Sequence, residues 1–196
     1  METNNPDSYR KKIEIVNGVS MELMPELPYH NFRHALNVYF AADNLACLAG
    51  INREDRFLLK TASLLHDVIL VPGKKDNEEK SAAFACLYLP RIGYSSYQTE
   101  QIGKLILATK MPQNPYSFLE EIICDADLDN FGRSDFFKLG ECVRRELGLP
   151  EDENWYKIQL RLLKDHRYHT EVARELRNPG KLANIGKLEN MLRDKI

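Results

Sequence analysis

Apolar residues recur along this chain at three- and four-residue spacing and almost nowhere at alternate positions, which is the period of helices rather than strands. Over 8–24, Ile13, Val16, Met21 and Met24 form a weak amphipathic stripe that Pro25 and Pro28 interrupt. The pattern next predicts a helix over 31–48, stopped by Gly50, and one over 53–70, stopped by Pro72-Gly73. In the second of these, Phe57, Leu58, Ala62, Leu64 and Leu65 leave little polar face. Further helices are predicted over 78–89, 97–108 and 118–126, then over 134–147 with Ser134 as N-cap, then over 151–164 and 171–177. Pro179-Gly180 reads as a break before a last helix over 182–194. The single β-like run, 68–71, reads as the end of the 53–70 helix. The expected fold is all-α: one compact multi-helix domain over 1–196 with non-bundle packing, no repeat and no dividing linker.

Composition narrows the function classes. Hydrophobic residues are 43% and charged residues 29%, ordinary for a globular chain. A net charge of -2 argues against a general nucleic-acid or anionic-membrane binder, so no stable nucleic-acid partner is expected. No apolar run approaches transmembrane length, and Met1-Glu2-Thr3-Asn4-Asn5 lacks a signal-peptide core. A cytoplasmic protein without a membrane partner is the expectation. Cys47, Cys86, Cys124 and Cys142 are widely separated and form no Cys-x-x-Cys pair, so buried free thiols are expected rather than a zinc ribbon or disulfides.

The candidate chemistry lies in three segments. In Tyr29-His30-Asn31-Phe32-Arg33-His34, the histidines are four apart and share one face if the helix starts near His30. A zinc-protease helix would need Glu where Asn31 stands. His66-Asp67 sits among Leu64, Leu65, Val68 and Ile69, where a His-Asp pair is costly unless paired or bound to metal. On an ideal helix the two side chains diverge by about 100°, so they meet one ion only near the helix end. Asp125, Asp127 and Asp129 alternate after an apolar run, and any one facing inward would complete a mixed His/carboxylate shell. A solvated helix end is the plainer reading for Asp129 and an equal one for Asp125. A calcium loop is excluded, because the required glycine and distal Glu are missing. His166 and His169 lie in a highly charged segment and are read as surface or capping residues. Tyr94, Tyr97, Tyr116 and Phe118 are read as core.

Taken together, Tyr-His-Asn-x-x-His at 29–34, Leu65-His66-Asp67, Asn77-Glu78 with Ser81-Ala82, Asp125-Ala126-Asp127-Leu128 and the charged segment 173–178 resemble the HD-domain metal-dependent phosphohydrolases. The first segment is also similar to the metal-site motif of cyclic nucleotide phosphodiesterases, distant members of that superfamily. The resemblance spans about 25–178, the implied catalytic core. It implies His34, His66, Asp67 and Asp127 as metal ligands, His30 as general acid on the leaving oxygen, and Glu78 as an acidic residue near the site. It implies a divalent ion, Mn or Mg before Fe, Co, Ni or Zn, and metal-activated water attacking a phosphoester. Asp67 would orient that water. The substrate would be a nucleotide or another small phosphorylated metabolite, and a homodimer is compatible. Arg33, Lys74 and Lys75 are candidates to neutralise its phosphate, against a solvated loop as the favoured reading of the two lysines and a structural carboxylate pair as the alternative for Arg33. One departure stands out. Where many relatives carry a further histidine after Ile-x-x-Thr, Ile106-Leu107-Ala108-Thr109 is followed by Lys110-Met111-Pro112. A single principal ion is therefore expected. The competing expectation is a catalytically degenerate metal- or nucleotide-binding regulatory module. A di-iron oxygenase is disfavoured, because such sites typically need four histidines.

Overall fold

The computed structural model describes residues 6–193. Their elements are α1 (Pro6–Leu23), α2 (Phe32–Leu48), α3 (Arg53–Leu65), α4 (Asn77–Tyr88), α5 (Ser96–Ala108), α6 (Phe118–Asp127), α7 (Phe136–Glu146), α8 (Glu153–Asp165) and α9 (Glu171–Arg193). Short 3₁₀ turns follow α4 at Leu89–Ile92 and α6 at Asp129–Gly132, and no strand occurs among the described residues. The fold is all-α.

The apolar α3 is the hub. It packs against α1, α2, α5 and α6, and its Leu58, Leu59, Ala62, Leu64 and Leu65 are fully buried. Facing it, α2 buries Ala35, Ala42 and Ala46, small residues that admit close helix approach. Polar groups inside this core are satisfied locally. The Ser63 hydroxyl donates to Leu59 O, and Ser20 on α1 donates to Leu64 O. Thr61 donates to Phe57 O and meets the Tyr94 hydroxyl at 3.0 Å.

The observed elements depart from the sequence pattern in four places, two through tertiary contacts (the end of α3 and the course of α9) and two through local side-chain bonds at the starts of α2 and α7. Helix α3 ends at Leu65 rather than at 70, with His66 as its C-cap residue. The amides beyond are taken by side chains of α4: Ile69 N donates to Ser81 Oγ and Val71 N to Asn77 Oδ1. Helix α2 starts at Phe32, capped by the Asn31 side chain, which leaves His30 outside it. Ser134 does not cap α7; Asp135 precedes the helix, its carboxylate engaged by Arg133 instead. Finally, α9 runs unbroken through Pro179 and Gly180. Gly132 lies so close that a Cβ on Gly180 would strike its carbonyl oxygen, and a Cβ on Gly132 would strike the Arg177 backbone. Asn184 Nδ2 donates to Phe131 O and Arg133 O, so the packed unit extends past residue 178.

Other expectations are also revised. Of the four aromatics, only Tyr94 is core; Tyr97, Phe118 and Tyr116 are exposed, Tyr116 by 87%. The cysteines are free, but Cys124 alone is buried, while Cys47 and Cys86 are exposed. His169 is half-buried and gives its backbone amide to Asp125.

His166 ends α8, as a capping residue would, yet its ring is packed between Phe131 and Tyr168. Its Nε2 is buried without a hydrogen-bond partner, and the Lys181 ammonium lies 3.4 Å from Nδ1. Burial, then the charges of Lys181, His169 and Arg167, push this imidazole down to about 3. The folded ring stays neutral while the unfolded ring takes a proton below about 6.5, so stability should fall progressively from about pH 6.5 toward pH 3. In His166→Asn, the difference between denaturation midpoints at pH 8 and pH 5 should shrink. An unchanged difference would locate the acid sensitivity elsewhere.

Candidate metal centre

Three helix ends converge on one point. His34 stands in the first turn of α2, His66 at the end of α3, and Asp127 is the last residue of α6. His34 Nε2 lies 3.2 Å from Asp127 Oδ1 and 3.2 Å from His66 Nε2. His66 Nε2 lies 3.1 Å from Asp67 Oδ2 and 3.5 Å from Asp127 Oδ1. His34 Nε2 and Asp67 Oδ2 are 3.7 Å apart. His34, His66 and Asp67 are buried, His66 to 1% exposure. His66 keeps helical backbone angles at the end of α3, and His66 Nε2 and Asp67 Oδ2 nonetheless come within 3.1 Å of each other.

The tautomer follows from the surroundings. His66 Nδ1 is 2.9 Å from the Ser63 carbonyl, which only an N–H can face. Neutral His66 therefore presents a lone pair from Nε2 toward His34 and both carboxylates. Such backbone anchoring of the far ring nitrogen is usual behind metal-ligating imidazoles. Without a cation, the charges must balance through protons. Burial opposes a charge on His66, yet Asp67 and Asp127 raise it well above the usual imidazole range. Burial likewise opposes ionised Asp127, but hydrogen bonds from His34 and His66 hold it well below the ordinary carboxylate range. One buried ring nitrogen facing another beside two carboxylates is a donor set that a divalent cation satisfies directly. Among the described residues, ligand atoms of His34, His66 and Asp127 all lie within 4.8 Å of one another.

The centre floors a cavity of about 250 Å³ lined by His30, His66, Asp67, Asp127, Glu78 and Glu146, with Leu70, Pro72, Thr109, Met111 and Leu147 around them. His30 is not on the helix face its spacing suggested. It precedes the Asn31 cap, and its Nδ1 is 2.5 Å from Glu146 Oε1. The other Glu146 oxygen accepts from the Tyr29 and His30 amides, both at 2.9 Å. Burial disfavours a charge on His30, but the bond to Glu146 and the charges of Asp67, Glu146 and Asp127 raise its affinity for a proton.

Glu146 carries no sequence signal. It lies 116 residues from His30, at the end of α7 and directly after Arg144 and Arg145. Glu78 lines the cavity half-buried. The basic residues expected at the phosphate are not brought there. Arg33 lines a separate groove with Glu26, Lys138 and Cys142, and Lys74 and Lys75 are exposed in the loop before α4. No Arg or Lys lines the cavity among the described residues.

The alternating aspartates divide by helical geometry. Asp125 and Asp129, four apart, both turn toward α9 and its lead-in, whereas Asp127 points the other way. Asp125 accepts from the His169 and Thr170 amides and the Thr170 hydroxyl. Asp129 holds Arg177 through both carboxylate oxygens, at 2.5 and 3.1 Å. Asp129 is 3% exposed, so the solvated reading fails for it; its charge is answered by the guanidinium.

A model of the HD domain matches residues 31–131, just over half of the chain. The chain belongs to the HD-domain family. Among solved structures, this HD-domain protein is similar to Bacillus subtilis YpgQ crystallised in complex with ADP. Identity is 19% and the TM-score 0.73, over 95% of this chain and 96% of that one. It is also similar to a predicted HD superfamily hydrolase from an uncultured Thermotogales bacterium, at 19% identity and a TM-score of 0.63, over 95% of this chain and 92% of that one. No curated protein matches it in sequence. Likeness at this identity speaks for the fold, and the site rests on the geometry above.

Proposed function

We propose that this HD-domain protein is a metal-dependent hydrolase of a phosphoester in a nucleotide or another small phosphorylated metabolite. The observation that carries the reading is the convergence of His34, His66, Asp67 and Asp127 beneath a cavity that is also lined by His30, held by Glu146. The ADP bound to YpgQ supports a nucleotide as the substrate class. His34, His66, Asp67 and Asp127 would hold one divalent ion, with Mn or Mg first. Such an ion, when bound, polarises a phosphoryl oxygen and makes water more acidic.

The chain's own residues supply the rest. The Asp67 carboxylate accepts a hydrogen bond from the attacking water and orients it. Glu146 occupies His30 Nδ1, so the transferable proton sits on Nε2 and passes to the departing oxygen. Glu78, at the rim, helps to place the substrate. The catalytic unit is a single domain, and cytoplasmic location fits its substrates.

The test is elemental analysis of the purified protein, then a phosphoester panel with the metals found. His30→Asn should lower kcat by roughly 10²- to 10⁴-fold with metal content unchanged. Glu146→Gln should lower it less and move the alkaline limb of the pH profile to lower pH, since Glu146 raises the His30 pKa. An unmoved limb would remove Glu146 from this role. A second reading, a regulatory module that binds without turnover, is favoured by the lack of Arg and Lys around the cavity. It predicts stoichiometric nucleotide binding and no product across the whole panel.

A further inference from the structure

A second concave site lies between α1, α2 and α3, away from the metal centre. This groove, of about 430 Å³, is lined by Arg10, Arg53, Arg56 and Lys60, with Tyr39 and Asp43 facing them from α2. It shares no lining residue with the metal cavity. Along α2, Asp43 is nine residues from His34, or roughly 13 Å of helix.

The charges do not balance. Arg10 is paired with Glu14 at 2.9 Å. Asp43 alone answers two cations: Arg56 Nε and Nη2 both reach its Oδ1, at 3.0 and 2.7 Å, and Lys60 is 3.6 Å from Oδ2. Arg53 forms no ion pair among the described residues. Among the residues that line the groove, the four cations Arg10, Arg53, Arg56 and Lys60 thus meet two carboxylates, Glu14 and Asp43, with Glu54 beside Tyr9 at its edge, in a protein whose net charge is -2. Arg53, Arg56 and Lys60 stand at i, i+3 and i+7 of α3, one above the next on a single face. Arg56 and Lys60 are half-buried and Arg53 is exposed at the mouth of the row. Lys60 Nζ sits 4.8 Å over the Tyr39 ring, so a flat aromatic wall adjoins the row of cations.

A surface network of this kind is usually neutralised internally. Here one carboxylate is shared by two cations and a third has none. We infer that the groove is a second ligand site that takes a small molecule carrying a chain of phosphates, held by Arg53 and Lys60 and flanked by Tyr39. The shared chemistry is the phosphate chain, whether inorganic or attached to a nucleoside.

The test is calorimetric titration of EDTA-stripped full-length protein with ADP and, separately, with inorganic tripolyphosphate. Saturable binding at one site is expected for at least one probe. It should weaken at least tenfold in Arg53→Glu/Lys60→Glu and persist in Asp127→Asn. ADP binding that also weakens in Tyr39→Ala would identify a nucleoside source, and equal binding of both probes an inorganic one. Arg53→Gln/Lys60→Gln, which reverses no charge, should fall in between and guards against misfolding of the first variant. Absence of saturable binding to the stripped wild type would overturn the inference. So would affinity unchanged in both groove variants, or binding lost in Asp127→Asn, which would place the ligand at the metal cavity. The inference does not depend on turnover and survives or fails separately from the proposed hydrolysis.

Discussion

Asp127→Asn and His66→Ala proteins should fold, lose bound divalent metal and lose hydrolysis together. Asp127→Asn preserves shape but removes the charge that both imidazoles face, at 3.2 and 3.5 Å. His66→Ala removes the most buried ring of the centre and leaves its Ser63 carbonyl contact unmade. Loss of an outer-shell partner of a metal typically costs about 10- to 100-fold in affinity or activity. Loss of a ligand itself should cost more, taking metal content from one equivalent per chain to near none. The pair separates two effects. Asp127→Asn loses the stability that the ionised carboxylate gives the metal-free fold near neutral pH, a loss that disappears at acidic pH, whereas His66→Ala also leaves a cavity, at about 2 kcal/mol or more at any pH. Elemental analysis alongside turnover checks this. Retention of one equivalent of metal in both variants would dissolve the proposed centre.

Gly180→Ala should be among the most damaging single substitutions in the chain. Its added methyl would fall on the Gly132 carbonyl, a backbone atom that cannot rotate aside. Gly132 in turn lies against the Arg177 backbone, and Arg177 clamps Asp129, so α9 cannot withdraw without disturbing a buried ion pair. Overpacking typically costs about 1–3 kcal/mol, and a collision with a backbone carbonyl that is itself backed by the Arg177 backbone belongs at the upper end. For a chain of this size that is roughly a 6–12 °C drop in melting temperature. Gly186→Ala, on the same helix with nothing within 4 Å of its added methyl, is the control. It should be neutral or stabilising by up to about 1 kcal/mol, because alanine is the better helix former. Equal melting temperatures for the two alanine variants would show that α9 does not press on the 3₁₀ turn.

How much of this was legible beforehand depends on the range of the interaction. Helix positions were, because burying one face imposes a local period that apolar residues must follow. The candidate ligands were legible as types, since imidazoles and carboxylates within apolar runs need partners. Boundaries set by distant side chains were not. Nothing near residue 70 announces that Ser81 and Asn77 will claim the amides of Ile69 and Val71. The role of Glu146 was equally hidden, because a glutamate after two arginines looks the same whether it meets water or the His30 ring.

The sequence by itself determined an all-α chain and the segments holding His34, His66, Asp67 and Asp127, because periodicity and the cost of buried polarity are written locally. Only the tertiary structure decided that α3 stops at Leu65 and that His66 and Asp67 meet His34 and Asp127 at one point. It also decided that Asp125 and Asp129 serve α9 while Asp127 faces the histidines, and that α9 continues through Pro179. The deciding partner lies outside the element it affects, six residues along the chain for Val71 and Asn77 and 48 for Asp129 and Arg177, and its hydrogen bond or close approach outweighs the local preference.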